Sequence, residues 1–271
     1  MSHGSISARA SIRRFFESGF TVMDVAESLA SFDDERDGAS IRAFMTRQDF
    51  DVVGVRVDGS VVGYVERDAL AAGPCRDSIR YFGTNQLLGE NDSIRDAIRA
   101  LDRTPCVFVT GLGQVSGIVT RHDLEKTPVR MWLFGLVSVL EEVFSIALRR
   151  EFDGTSWTQH LPATRLNRAR DLQRERRRRN QSPDLVDCLH FSDKGHVLFK
   201  DDDIRAQFGF ESRNHAKKRL LEIERLRNSL AHVHDIVDHS WDTITLLATS
   251  LDTILRLCDR YQFLPETLAG R

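Results

Sequence analysis

Up to Thr127 the apolar residues fall in short runs of period two, and beyond Pro128 they recur every three or four residues, so the chain divides there. In the first part, Val52-Val53-Gly54-Val55-Arg56-Val57 and Val61-Val62-Gly63-Tyr64-Val65 read as two strands. Between them Asp58-Gly59 can supply the positive φ angles of a tight hairpin. The same order returns as Cys106-Val107-Phe108-Val109, Gly111-Leu112-Gly113 and Val115-Ser116-Gly117-Ile118-Val119. Helical segments over Ala39–Met45 and Asp92–Ile98 precede the two hairpins, with Ser40 and Ser93 as candidate N-caps. A closing helix is expected after each hairpin, near Asp68-Ala69 and near Asp123. This internal repeat predicts two like copies, over about 19–72 and 79–127, behind a helical lead-in at 1–18.

The second part, 128–271, reads as all helical. A first helix over roughly Val129–Arg150 carries Leu133, Leu136, Val137, Leu140, Phe144, Ala147 and Leu148 on one face. Glu141 lies about 100° from the centre of that face, at its margin, and Glu142 about 160°, in solvent. A basic helical stretch follows over Thr155–Arg179, and Ser182-Pro183-Asp184 ends it and opens another helix toward His190. Over Asn214–Val237 the stripe Ile223, Leu226, Leu230, Val233, Val237 predicts one continuous helix. On that helix Asn228 and His232 lie about 40° apart and nearly opposite the stripe, with Arg227 on its flank, so packing does not explain them. A helix over about Trp241–Tyr261 closes the bundle. The fold class is therefore α+β: a βαββα pair, then a helical bundle.

Composition narrows the functional classes. The 271 residues, 41% hydrophobic and 29% charged with six prolines, suit two compact domains. The net charge of −2 conceals an arginine cluster at Arg165, Arg168, Arg170, Arg174, Arg176, Arg177, Arg178 and Arg179. Of these, Arg174 and Arg176 to Arg179 are candidates for a phosphate track on RNA, against the plainer reading of a solvated face paired with acidic neighbours. Four scattered cysteines show no zinc-type spacing, so no metal is expected and free thiols in a reducing cytoplasm are. No apolar run follows the N-terminal charges, which argues against a secretory signal. The most apolar stretch, Met131–Val143, is about half the roughly 20 residues of a membrane span and is interrupted by Glu141-Glu142, so no membrane association is expected.

The repeat resembles the cystathionine-β-synthase-type (CBS) domain, whose members end the second hairpin strand with Gly-apolar-apolar-Thr/Ser-x-x-Asp. Gly117-Ile118-Val119-Thr120-Arg121-His122-Asp123-Leu124 follows that pattern. The resemblance implies a module that takes an adenine nucleotide such as AMP or ATP as a regulatory ligand. Thr120 would contact phosphate or ribose, Asp123 would accept from the ribose hydroxyls, and Arg121 would balance phosphate charge. The first copy has Glu66 at the Thr position and Ala69 at the Asp position, which suits neither contact, so one nucleotide site is expected rather than two. Many CBS pairs serve only as dimerisation scaffolds, and Thr120 capping a local helix remains the plain alternative.

Glu224-Arg225-Leu226-Arg227-Asn228-Ser229-Leu230-Ala231-His232 resembles the HEPN superfamily, with its Arg, a polar residue, three residues and a His. That resemblance implies a dimeric, metal-independent endoribonuclease whose cleft is shared between subunits. His232 would move protons at the ribose 2′-hydroxyl or the leaving oxygen, and Arg227 would stabilise charge on the phosphate. Asn228 would orient His232, and Glu141 would hold Arg227 or His232; a 2′,3′-cyclic phosphate would remain on the upstream product. His234 and His239 read as ordinary surface histidines. Together the two resemblances predict a cytoplasmic homodimer in which a nucleotide-sensing CBS pair controls an RNA-cleaving HEPN domain, by family analogy a toxin or anti-phage effector. One rival is a non-catalytic nucleotide sensor whose HEPN bundle dimerises or binds a partner protein. The other is an RNA-binding scaffold without chemistry.

Overall fold

The computed structural model describes residues 8–231 and 235–261, with only the backbone described at 8–11, 238 and 239. It divides into two compact units, Glu17–Val129 on one side and, on the other, the N-terminal segment through Phe16 together with Arg130 onward. The N-terminal segment belongs to α1 (Ala8–Ser18), so the start of the chain groups with its second half.

The unit Glu17–Val129 contains, in order, β1 (Glu27–Ser28), β2 (Ser31–Asp33), α2 (Gly38–Gln48), β3 (Val52–Val57), β4 (Ser60–Glu66), β5 (Arg80–Tyr81), β6 (Leu87–Gly89), α3 (Ile94–Leu101), β7 (Cys106–Gly111) and β8 (Gln114–Thr120). They form two four-stranded sheets of orders β2-β3-β4-β5 and β1-β8-β7-β6. The sheets are built alike: β2 runs parallel to β3 and β6 parallel to β7, while each hairpin is antiparallel. The register slips between Val55 and Arg56 in one hairpin and between Val109 and Thr110 in the other, the same place 54 residues on. Both turns use two residues with positive φ, Asp58-Gly59 and Leu112-Gly113. Strand β1 lies near the start of the first copy yet pairs with β8, filling in the second sheet the edge position that β5 fills in the first.

Two expectations need correction here. Asp37, not Ser40, caps α2: one carboxylate oxygen accepts from Ser40 N at 3.0 Å and the other from Gly73 N at 3.1 Å. Ser93 does cap α3, in a reciprocal capping box with Asp96. The equivalent of Ser93 is therefore Asp37, and matching Ser40 with Ser93 misplaces the helices by three residues. A helix hides such a slip, because positions i and i+3 share a face. The expected closing helices are single 3-10 turns, Arg67–Ala69 and His122–Glu125.

The other unit contains α4 (Thr127–Glu151), α5 (Ala163–Arg178), α6 (Phe191–Leu198), α7 (Asp202–Gln207), α8 (Arg213–Leu230) and α9 (Val237–Arg260). Helix α4, 25 residues, is long and apolar enough to cross a membrane by length and composition, beyond what the Met131–Val143 stretch suggests. More than half of that apolar window is buried, and Trp132, Leu136, Val143 and Phe144 pack as core. The Trp132 indole donates to Phe16 O at 3.0 Å, anchoring α1. Beyond Pro183 the expected helix toward His190 is one 3-10 turn, Val186–Cys188, and His190 instead precedes α6 as its N-cap residue.

The continuous helix expected over Asn214–Val237 is two helices. α8 ends at Leu230 and α9 begins at Val237. At the end of α8, Arg130 on α4 donates to Ser229 O at 2.8 Å and satisfies one of the terminal carbonyls.

Candidate functional site

In the first unit, β8 and the turn after it place Thr120, Arg121 and Asp123 close together. The Asp123 carboxylate is buried at 6% exposure, and one of its oxygens accepts from Thr120 N at 2.7 Å and from Thr120 Oγ1 at 2.8 Å. Its other oxygen lies 2.9 Å from Lys126 Nζ. That ammonium also donates to Val25 O at 2.6 Å and pairs with Glu27. Burial pulls the Lys126 pKa down, but the bonds to Glu27 and Asp123 outweigh it and the net displacement is upward. Arg121 points its donors at Leu101 O, at 3.0 and 3.2 Å, the last carbonyl of α3. All three residues are engaged within the unit, and Lys126 is a member of the cluster that sequence reading missed.

The corresponding place in the first copy is different in kind. Glu66 pairs with Arg80 at 2.7 Å, and Arg67 pairs with Asp51 at 2.6 Å and Asp49 at 3.5 Å. Gly63 and Gly117 occupy equivalent positions in β4 and β8. A Cβ on Gly63 would stand 2.5 Å from Arg80 O, so only glycine lets β5 approach β4 there. Between the sheets, Tyr64 packs 4.8 Å from Phe108, with Phe82 4.6 Å from Phe108, which ties the two copies into one core.

In the helical unit, α4, α6 and α8 converge on Glu141. Lys194 Nζ lies 3.0 Å from Glu141 Oε1, and Arg227 Nη1 lies 3.8 Å from Glu141 Oε2. The first contact is a charge-assisted hydrogen bond; the second is an ion pair beyond hydrogen-bonding range. The Lys194 side chain is 5% exposed, against 25% for Glu141 and 37% for Arg227. Burial of a lysine requires close packing of α6 on α8, and Gly195 permits it, since a Cβ there would meet Leu220 Cδ2 at 2.5 Å. Neighbouring Asp193 is buried as well and is paired with Arg165 of α5. Nothing in the sequence marked Lys194.

Asn228 is exposed near the end of α8, and His232 lies outside the described residues, as does His234. The side chain of His239 is likewise outside them. Helix α8 ends at Leu230, and the angle expected between Asn228 and His232 lies outside the described residues. Five arginines proposed for RNA sit on or at the end of α5. Arg174 pairs with Asp171, Arg179 with Glu175, and Arg176 donates to Asp187 O at 3.3 Å. Arg177 and Arg178 are exposed and without a hydrogen-bond or ion-pair partner among the described residues. Among the described residues no group of three or more His, Cys, Asp or Glu is arranged to hold a metal ion.

No family model and no curated protein matches the chain. Solved structures similar to it include an uncharacterised conserved protein from Pyrococcus horikoshii, at 16% identity over 40% of this chain and 90% of that one, TM-score 0.36. CBSX2 in complex with AMP is similar at 16% identity over 42% and 98%, TM-score 0.37. The CBS domain of a bacterial CNNM/CorC family Mg2+ transporter in complex with ATP is similar at 14% identity over 45% and 94%, TM-score 0.36. At these values the reading of the fold rests on the chain's own repeat and its matched register.

Proposed function

We propose that the chain is a nucleotide-sensing regulator joined to a metal-independent endoribonuclease, with a CBS pair over the first unit and a HEPN domain over the helical one. The observation that carries the ribonuclease part is the approach of Arg227 to Glu141 at 3.8 Å, which sets the motif arginine beside the acid of the first long helix. A guanidinium held there supplies charge to a scissile phosphate, and His232 handles the proton of the 2′-hydroxyl. The sensing part is supported by the duplicated sheets and by Thr120 and Asp123 within one hydrogen-bonded cluster. An adenine nucleotide would displace the internal bonds of Asp123 in favour of ribose hydroxyls. In this reading the protein works as a homodimer on RNA, and nucleotide binding shifts the population of active protein.

A second reading, a sensor or scaffold without catalysis, is favoured by one observation: Thr120, Arg121 and Asp123 all have hydrogen-bond or ion-pair partners within their own unit. One experiment separates the two. Purified protein and its His232→Ala variant are incubated with total RNA in EDTA, with and without AMP or ATP. Cleavage that is lost in the variant and altered by nucleotide is the expected result; intact RNA under every condition sinks the ribonuclease reading.

A further inference from the structure

The helical unit has a second place suited to an anion, at the opposite end of α8 from Arg227. A cavity of about 250 Å³ opens where the chain leaving α6 meets the first turns of α8, lined by His196, Lys200, Arg213, Asn214 and Lys217, with Phe199 among its apolar residues. Three permanent cations and an imidazole line it, and no carboxylate does. Two of the cations are partly occupied: Arg213 donates to Lys200 O at 2.7 Å and stands 3.2 Å from Asp202, and Lys200 donates to His160 O at 2.8 Å. Among the described residues His196 and Lys217 have no hydrogen-bond or ion-pair partner.

The electrostatics around His196 point the same way. Burial holds its pKa below the ordinary histidine value, and the charges of Lys200, Arg165 and Lys217 add to the depression against the opposing pull of Asp193. The groups facing it come from α5, α6, α8 and the chain after α6, and positive ones prevail. Burial is the larger cause, but the cations lining the cavity add to it with no carboxylate in the lining to offset them, and an anion would relieve that positive potential. The first turn of α8, an 18-residue helix, adds its own partial positive charge.

We propose that this cavity binds a phosphate group, with Lys217 and His196 as its main ligands and Arg213 and Asn214 beside them. Arg213 and Arg227 lie 14 residues apart on α8, about 21 Å at 1.5 Å per residue, so the pocket is distinct from the Arg227 site. Its occupation does not depend on whether the unit cleaves RNA. Binding is coupled to proton uptake by His196, since a phosphate beside the ring favours the imidazolium, and affinity rises as pH falls toward the ordinary histidine range.

The test uses the full chain carrying 13C-labelled histidine, with the His196 resonance identified by its loss in His196→Gln. Inorganic phosphate is titrated first, then 2′-O-methyl oligoribonucleotides bearing either a 5′-phosphate or a 5′-hydroxyl. The expected result is a saturable shift of the His196 resonance, a raised midpoint for its titration, and at least tenfold weaker binding in Lys217→Glu, a change at an exposed position. A response to both oligonucleotides assigns the pocket to backbone phosphates, a response to the 5′-phosphorylated one alone to a terminal phosphate, and a response to inorganic phosphate alone to the free ion; each supports the pocket. No response of His196 to any of the three, or a response unchanged in Lys217→Glu, overturns it.

Discussion

Lys194 and Glu141, 53 residues apart in sequence, meet at 3.0 Å with the lysine side chain 5% exposed. Burying an ammonium is costly unless a carboxylate accepts from it, and Glu141 does so while also facing Arg227. The carboxylate is thus shared between a buried cation that fixes it and a more exposed cation with room to meet a ligand.

Removing Glu141 leaves the buried Lys194 uncompensated, whereas removing Lys194 leaves a quarter-exposed Glu141 that still faces Arg227. Glu141→Leu is expected to destabilise the helical unit by roughly 3 kcal/mol, while the double variant with Lys194→Met recovers much of the loss. Urea unfolding of the four proteins of a double-mutant cycle measures the coupling, and additive single effects would contradict it. If the ribonuclease reading holds, Lys194→Met also lowers kcat more than it raises KM, because Glu141 no longer fixes Arg227.

Gly195→Ala tests the close approach of α6 and α8. A Cβ at 2.5 Å from buried Leu220 forces repacking, expected to cost about 1–3 kcal/mol, partly offset by the better helix propensity of alanine. A variant as stable as the parent in urea would show that Leu220 yields freely and that the packing is not tight.

The two serines aligned by the sequence repeat should behave differently. Ser93→Ala removes an N-cap and a capping box and is expected to cost about 1 kcal/mol. Ser40→Ala should fall within about 0.5 kcal/mol of the parent, because Asp37 provides the cap of α2. Thermal melts of both variants decide this, and equal losses would refute the assignment of Asp37.

Alkaline stability has a specific source in the first unit. Burial, with the charge of Glu66 adding to it, pushes the Cys106 thiol from 9.0 up to about 11. A thiol with a raised folded pKa stabilises the fold fully below its unfolded value, and that stability is lost as pH rises through the folded one. The loss should run between pH 9.0 and about 11, at about 1.4 kcal/mol per unit of pH. Denaturant midpoints of Cys106→Val should fall less steeply over that range than those of the parent.

Asp123→Ala should separate the ligand role from the structural one. It frees Thr120 and leaves Lys126 with Glu27 and Val25 O, so a modest loss of stability is expected, together with loss of AMP binding if the nucleotide reading holds. Calorimetric titration with AMP measures the second effect. Affinity kept in a folded Asp123→Ala protein would remove Asp123 from the nucleotide site.

The repeat, its two glycine-bearing hairpins and the long apolar helix were legible because each is encoded over a few neighbouring residues, as alternation, positive-φ turn pairs or a three-and-four spacing. Elements settled by distant contacts were not. The stripe through Leu230 and Val233 reads as continuing, yet the helix ends at Leu230, with Arg130 donating to Ser229 O. Asp37 looks like a loop residue until Gly73, 36 positions away, is seen to donate to its carboxylate.

The sequence by itself determined the division into a duplicated α/β part and a helical part, the match of Gly117–Leu124 to one motif and of Arg227–His232 to another, and Glu141 at the margin of an apolar face. Only the tertiary structure decided that β1 completes the second sheet, that Lys126 reaches Val25 O and Glu27, and that Lys194 is buried against Glu141. The physical reason is the range of the forces involved. Periodicity and turn propensity are properties of adjacent residues, whereas the burial of a charge depends on which helices close over it, and no window of sequence contains both partners.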